Sequence, residues 1–133
     1  MRDTIPYYML MLDRVRQRAD EFDILHFHID QFHFPLFRNI AGRTVTTLHG
    51  RQDLPDLHSL YAGFNDMPLV SISNAQRGPV PNIHFAGTVL HGIPVSLHRA
   101  AAEAHGYLAF LGRISPEKRP DRAIAIARAL GVP

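Results

Sequence analysis

The chain of 133 residues contains no cysteine, which excludes disulfide bonds, thiolate metal ligands and a cysteine nucleophile. It also lacks a dense basic run: 14 Lys and Arg residues stand against 12 Asp and Glu residues. We therefore expect no nucleic-acid partner. The apolar run at residues 7–12 is too short for a membrane span or a signal peptide. Together with the missing thiols, these absences predict a cytoplasmic protein without a membrane-spanning segment.

The composition is that of a globular protein of ordinary domain size, with 46% hydrophobic and 20% charged residues and no internal repeat. Apolar, β-branched stretches predict strands at 23–29, 43–49, 68–73, 83–85, 88–91 and 106–111. Helical periodicity or helix-end signals predict helices at 6–22, 32–40 and 120–130, with 53–66 irregular or helical and 74–77 a turn or helix stub. This alternation predicts an α/β fold with a parallel sheet and right-handed crossovers.

Three details of this assignment are specific enough to test. The first helix is expected to bury a stripe formed by Met11, Val15, Ala19 and Phe22. The last helix is expected to begin at its proline, residue 120, and to end at a glycine C-cap, residue 131. Because Arg119 precedes that proline, we expect its backbone to be extended.

The turn before the last helix carries the clearest chemical signal. Gly112 lets the chain turn sharply, Arg113 offers a bidentate fork suited to phosphate oxygens, and Lys118 adds a point charge. The unpaired N–H groups of the helix start lie close by in sequence, as in many phosphate sites. An exposed loop with two solvated cations is an equally good interpretation of these residues alone.

The nine histidines raise the question of a metal site. His26 and His28 are two residues apart on a predicted strand and so share one face, and His33 is near in sequence. No helical i, i+4 partner accompanies them, and no cysteine completes a zinc set. Core or cleft histidines are therefore the favoured interpretation, and we predict no metal.

The segment from Gly112 to Lys118, Gly-Arg-Ile-Ser-Pro-Glu-Lys, closely resembles the "GR-ispEKG" segment of retaining glycosyltransferases of the GT-B fold, family 4 (group 1). Four weaker likenesses occur in the same order as in that family. These are the "D-ii-H-x-H" strand at 23–28, the "T-x-H" strand end at 46–50, the "vaVS-x-x-x-R" strand at 70–77 and the "N-G-i-D" segment at 89–94. The helix at 120–127 also resembles the one that follows the first segment in the family.

The resemblance implies a Rossmann-like parallel sheet of the GT-B type that is incomplete in this chain. Residues 1–94 would be the second half of an N-terminal, acceptor-side domain, 95–105 a linker, and 106–133 the first strand and helix of the C-terminal nucleotide-sugar-binding domain. The implied reaction, part of carbohydrate biosynthesis, transfers a sugar from a nucleoside-diphosphate-sugar to an acceptor hydroxyl, with no cofactor. Peripheral membrane contact of the full-length protein stays open.

The resemblance also implies roles for single residues. Arg113 and Lys118 would hold the donor diphosphate, and His49 would lie near the transferred sugar as the catalytic residue. Supporting positions would be Gly112, Glu117 and Gly92. Without the resemblance, the alternative interpretation of His49 is a strand-end histidine that faces solvent.

Departures from the family pattern limit what this chain is expected to do alone. Arg119 stands where the family has glycine, and His91 and Pro94 replace the Asn and Asp of "N-G-i-D". The family's glycine-rich loop and its "E-x7-E" motif have no counterpart here. We therefore expect the chain by itself to be inactive. Two alternatives remain, a nucleotide-sugar epimerase on the same fold and a non-catalytic truncated fragment or binding module.

Overall fold

Four short strands form one sheet in which every neighbouring pair is parallel, in the order β1-β2-β3-β4. They are β1 (Leu25–Phe27), β2 (Thr44–Thr47), β3 (Leu69–Ser71) and β4 (Phe85–Thr88). A computed structural model describes residues 3–98, 103 and 105–133. The chain divides into two compact units, Met1–Gly92 and Ile93–Pro133. The sheet lies in the first unit and confirms the predicted α/β fold with a parallel sheet.

The helices of the first unit are α1 (Ile5–Gln17), α2 (Phe34–Phe37), α3 (Pro55–Gly63) and α4 (Asn74–Arg77). Short 3-10 helices follow α1 at Ala19–Glu21 and α2 at Arg38–Arg43. Strand register aligns the alternate buried residues of β1, β2 and β3 on one face, where Phe85 of β4 pairs with Leu69 and is partly buried. That face joins two hydrophobic clusters, one of Phe34, Leu48, Tyr61, Met67, Leu69 and Val80, the other of Leu12, Ala19, Leu25, Phe27 and Phe37.

The first helix differs from its predicted form. The α-helix ends at Gln17 and gives way to a 3-10 turn, so the 3.6-residue phase does not continue to residue 22. Leu12 and Ala19 are buried, whereas Met11 is 39% and Phe22 48% exposed. The predicted stripe was therefore wrong at two of its four positions, because tertiary contact with β1 favours the Leu12 side of the helix.

Between β1 and β4 the predicted types of secondary structure are confirmed, but the bounds of the elements differ. The predicted helix at 32–40 is α2 plus a 3-10 helix that is kinked at Ile40, and 53–66 contains the regular helix α3. The two strands predicted at 83–85 and 88–91 are instead the single strand β4. Gly87 lies inside it, paired with Val70 where the register with β3 shifts, a place at which glycine is common.

In the second unit, α5 (Pro120–Leu130) begins at its proline and ends at Gly131, whose φ of 64° is the left-handed conformation of a glycine C-cap. Both predictions are confirmed. The strand predicted at 106–111 is wrong, because no partner strand pairs with these residues in the part of the chain that the structure describes. Their backbone bond to the chain end, from Leu108 N to Pro133 O, is 2.9 Å.

Arg119 is not extended as predicted; its φ of 51° and ψ of 50° are left-handed. In this conformation its guanidinium meets Asp121 two residues later, with Nε 2.9 Å from Oδ1. The rule for residues before proline favours extended backbone, and Arg119 departs from it. Within the predicted linker 95–105, residues 99–102 and 104 lie outside the described residues. No helix in the described ranges is long and apolar enough to cross a membrane.

Candidate functional site

Three histidines meet at the carboxyl edge of the sheet, where parallel α/β sheets bind their ligands. His28 directly follows β1, His49 follows β2 by two residues, and His91 comes after β4. His28 Nδ1 lies 2.8 Å from His49 Nε2, so the two imidazoles share a hydrogen bond. The ring of His91 stacks on that of His49, with centroids 5.4 Å apart and planes 13° from parallel. The structure thus places the predicted catalytic residue, His49, in a row of imidazoles.

His26 extends this row on the strand itself, on the same face as His28. The centroids of these two rings are 4.3 Å apart, and His26 Nε2 lies 2.9 Å from Thr47 Oγ1. Partial burial lowers the pKa of His26, and charge on His28 and His49 would lower it further. His26 therefore connects the histidine row on β1 to Thr47 of β2.

His33, the third histidine considered for a metal, belongs to the core. Its Nε2 lies 2.9 Å from Thr46 Oγ1, and its ring stacks on Phe27 with centroids 3.8 Å apart. Burial lowers the pKa of His33 to about 4. The favoured interpretation, core or cleft histidines, holds with His33 in the core and His26 and His28 at the edge. Among the described residues, no three His, Cys, Asp or Glu side chains form a group able to hold a metal.

Two glutamines hold the loop that carries His49. Gln76 Nε2 donates to the backbone carbonyls of Leu48, at 3.1 Å, and of Gly50, at 2.9 Å. Its Oε1 accepts from Ile72 N at 2.9 Å, which fixes the amide orientation. Gln52 Nε2 donates to the same Gly50 carbonyl at 3.1 Å. The backbone on both sides of His49 is therefore tied to β3 and α4 by side-chain amides.

Tyr61 locks the second glutamine. Its hydroxyl donates to Gln52 Oε1 and accepts from Gln31 Nε2 at 2.6 Å. Burial raises the pKa of Tyr61 to about 12, so the phenol keeps the proton that it donates. Sequence reasoning missed all of these residues. Isolated amides and a core tyrosine have no characteristic spacing, and only their contacts in the fold reveal the network.

An open cleft of about 410 Å³ adjoins His49, lined by the loop at 49–53 and by residues of 72–79. The guanidinium of Arg51 in its wall forms a two-pronged pair with Asp53, both contacts at 2.8 Å. That pairing lowers the pKa of the Asp53 carboxyl. The cleft therefore offers imidazole and amide groups with little net charge, which suits a neutral polar ligand better than an anion.

The two predicted phosphate-binding cations lie in the second unit. Arg113 Nη2 is 3.2 Å from Glu117 Oε1, four residues along the chain, and both side chains are largely exposed. The Ser115 hydroxyl is the main cause of a lowered pKa at Glu117, with smaller contributions from Arg113 and Lys118. The Glu117 carboxylate therefore occupies part of the Arg113 guanidinium.

The start of α5 carries its own carboxylate. Asp121 lies in the first turn and pairs with Arg119, so an anionic side chain already occupies the positive helix end. Lys118 is exposed. Among the supporting positions, a side chain at Gly112 would approach the Phe110 ring at 3.3 Å, whereas one at Gly92 would meet nothing. Diphosphate binding by Arg113 and Lys118 stays a prediction.

No model of a known protein family matches this chain, and no curated protein matches it. The residues themselves therefore carry the functional argument.

Proposed function

We propose that this chain is part of a retaining, nucleotide-sugar-dependent glycosyltransferase of the GT-B fold, acting in carbohydrate biosynthesis in the cytoplasm. The observation that carries the proposal is the position of His49 beside an open cleft at the carboxyl edge of a parallel sheet, hydrogen-bonded to His28. A neutral imidazole there can donate to or accept from a sugar hydroxyl. The sequence resemblance names the same residue.

The order of the strands supports the proposed domain assignment. Doubly wound sheets have the order 3-2-1-4-5-6, in which the second half runs outward strand by strand. The order β1-β2-β3-β4 has this outward progression. It agrees with residues 1–94 being the second half of an acceptor-side domain, with 95–105 as the linker and 106–133 as the start of a donor-side domain.

In this proposal Arg113 and Lys118 stabilise the charge that develops on the departing diphosphate. Arg113 would exchange its contact with Glu117 for phosphate oxygens. That exchange costs little, because an exposed ion pair contributes only about 0–1 kcal/mol. Within the proposal Gly112 and Gly92 keep their supporting roles, Glu117 holds the Arg113 side chain until the donor binds, and the reaction uses no metal.

Calorimetric titration of the full chain with uridine, guanosine and adenosine diphosphates tests the cation assignment. Arg113→Ala should weaken binding more than Lys118→Ala, because a guanidinium makes two directed bonds. Each variant loses a charge-assisted contact of about 1.5–3 kcal/mol, which corresponds to at least a tenfold decrease in affinity. Arg128→Ala, at the opposite end of α5, is the matched control and should bind like the unaltered chain. Unchanged affinity in both test variants would remove the diphosphate assignment.

A non-catalytic binding module is the second candidate, and the pairing of Arg113 with Glu117 and of Arg119 with Asp121 favours it. Product analysis with a panel of nucleotide-sugars and acceptors separates the possibilities. We expect no useful transfer by the chain alone. A glycoside product would show that the chain alone transfers sugar. A nucleotide-sugar altered in the absence of acceptor would indicate an epimerase. Binding without any product would favour the binding module.

A further inference from the structure

The hydrogen bond between His28 and His49 limits which ring atoms face a ligand. It uses Nδ1 of His28 and Nε2 of His49. The nitrogens that remain are His28 Nε2 and His49 Nδ1, and neither makes a hydrogen bond within the described part of the chain. Both side chains are exposed. A ligand bound against this histidine pair would therefore meet these two atoms, and His49 also lines the adjoining cleft.

The shared bond also couples the tautomers of the two rings. In a neutral imidazole one nitrogen donates and the other accepts. If His28 Nδ1 donates to His49, then His28 Nε2 must be an acceptor and His49 Nδ1 a donor; if His49 donates, both roles reverse. In either state the neutral pair presents one donor and one acceptor, and a change in one ring forces the same change in the other.

One donor beside one acceptor matches two hydroxyl groups, since a hydroxyl both donates and accepts. An anion would need donors at both positions, which the neutral pair cannot provide. Three contacts hold the histidine pair in place. The His26 ring lies against His28 and is hydrogen-bonded to Thr47. The ring of His91 stacks on His49, and Gln76 binds the backbone of the loop that carries His49.

We propose that His28 is a positioning residue for His49, and that the two imidazoles together bind a pair of hydroxyl groups on the transferred sugar. The identity of the ligand rests on the proposed function, whereas the positioning role rests on the geometry alone. His28 acts through the Nδ1–Nε2 bond, which fixes the ring orientation of His49 and makes its tautomer depend on that of His28.

Two measurements on the full chain test the two parts. Long-range ¹H–¹⁵N spectra with labelled histidine report the tautomer of each ring. In the unaltered chain the two rings should show the same tautomer, both Nδ1–H or both Nε2–H in equal proportions. In His28→Ala the His49 tautomer should become a mixture, and His28→Gln, which keeps a hydrogen-bonding amide, should restore most of the original signal. His58→Ala, an exposed histidine on α3, is the matched control.

The second measurement is the affinity for a nucleotide-sugar and for its analogues that lack single hydroxyls. Loss of one neutral hydrogen bond lowers affinity by about three- to tenfold. His28→Ala should therefore bind the intact nucleotide-sugar three- to tenfold more weakly and should discriminate less against one deoxy analogue. Its affinity for the free nucleoside diphosphate should not change, and His58→Ala should match the unaltered chain throughout.

The outcomes separate cleanly. Unchanged His49 signals in His28→Ala would overturn the positioning role, whether or not any nucleotide-sugar binds. Altered signals with undiminished discrimination between the sugar and its deoxy analogues would overturn the hydroxyl assignment. Failure of the unaltered chain to bind any nucleotide-sugar would overturn the proposed function and the ligand assignment with it, while the spectra would still decide the positioning role.

Discussion

Met1–Gly92 and Ile93–Pro133 both contain amphipathic sequence, yet only the first unit buries it. Among the described residues, every buried side chain belongs to the first unit, including the fully buried Phe34, Phe37 and Leu69. In residues 93–98, 103 and 105–133 no residue is buried, and Ile124 and Ile126 of α5 are 54% and 55% exposed. The difference arises because a parallel sheet gives helices a shared apolar surface, which a single helix and an unpaired segment lack.

The same difference separates the two groups of candidate functional residues, one in each unit. The histidines of the first unit come from separate strands and contact one another only because the sheet is formed. Two arginines of the second unit, Arg113 and Arg119, pair with carboxylates nearby in sequence. Long-range packing thus organises the imidazoles, whereas local charge pairing organises the guanidinium groups.

The largest expected effect is a contrast in stability between the units. Phe34→Ala removes a fully buried ring from the first cluster and should lower the free energy of unfolding by about 3–5 kcal/mol. Ile124→Ala in α5 should change it by less than about 1 kcal/mol, because the side chain is half exposed. Urea denaturation of both variants measures the contrast. Equal losses would show that α5 packs as tightly as the core.

The next effect is a loss of stability in acid that originates at His33. Its pKa is about 4 in the folded chain and about 6.5 when unfolded, so only the unfolded state gains this proton between those values. Stability from this group is therefore full above pH 6.5 and falls by about 2–4 kcal/mol as the pH drops to 4.

Unfolding of the chain and of His33→Gln, followed from pH 4 to 7.5, isolates this contribution. The variant should lose distinctly less stability over that range, although His26 contributes in the same direction in both proteins. Parallel pH profiles for the two proteins would contradict the assignment.

Hydrogen exchange should show a smaller but local contrast. Amides of β2 and β3 take part in the sheet, whereas residues 106–111 have no strand partner among the described residues. We expect amides at 46–48 and 69–70 to exchange at least about a hundredfold more slowly than those at 107, 109 and 110. Comparable protection in both segments would mean that a partner strand covers 106–111 in solution.

The smallest expected effect is a gain in nucleoside diphosphate affinity when the carboxylate beside Arg113 is removed. Glu117→Gln frees the guanidinium from an exposed pair of about 0–1 kcal/mol. Nucleoside diphosphate affinity should rise up to about fivefold if Arg113 binds phosphate. Glu103→Gln, remote in sequence, is the charge-matched control. Weaker binding in Glu117→Gln alone would mean that this carboxylate contributes to the nucleotide site directly.

The predictions that held depended on local chemistry. Alternating strand and helix patterns predicted the α/β fold and the parallel sheet, because periodicity in apolar residues reports which side of an element is buried. The proline and glycine limits of α5 held because each residue restricts its own backbone. Arg119 was the exception, since its left-handed conformation, in which it pairs with Asp121, departs from the extended backbone that the proline rule favours.

What the amino-acid sequence determined by itself is therefore the set of elements, most of their limits, and the presence of His49, Arg113 and Lys118 near element ends. Only the tertiary structure decided that Leu12 faces the core, that 106–111 forms no strand, and that His28 bonds to His49. The tertiary structure also brings Gln52, Gln76 and Tyr61 into the hydrogen-bond network that holds the loop carrying His49. The physical reason is that these contacts join residues distant in sequence, and their energy exists only once the sheet brings the strand ends together.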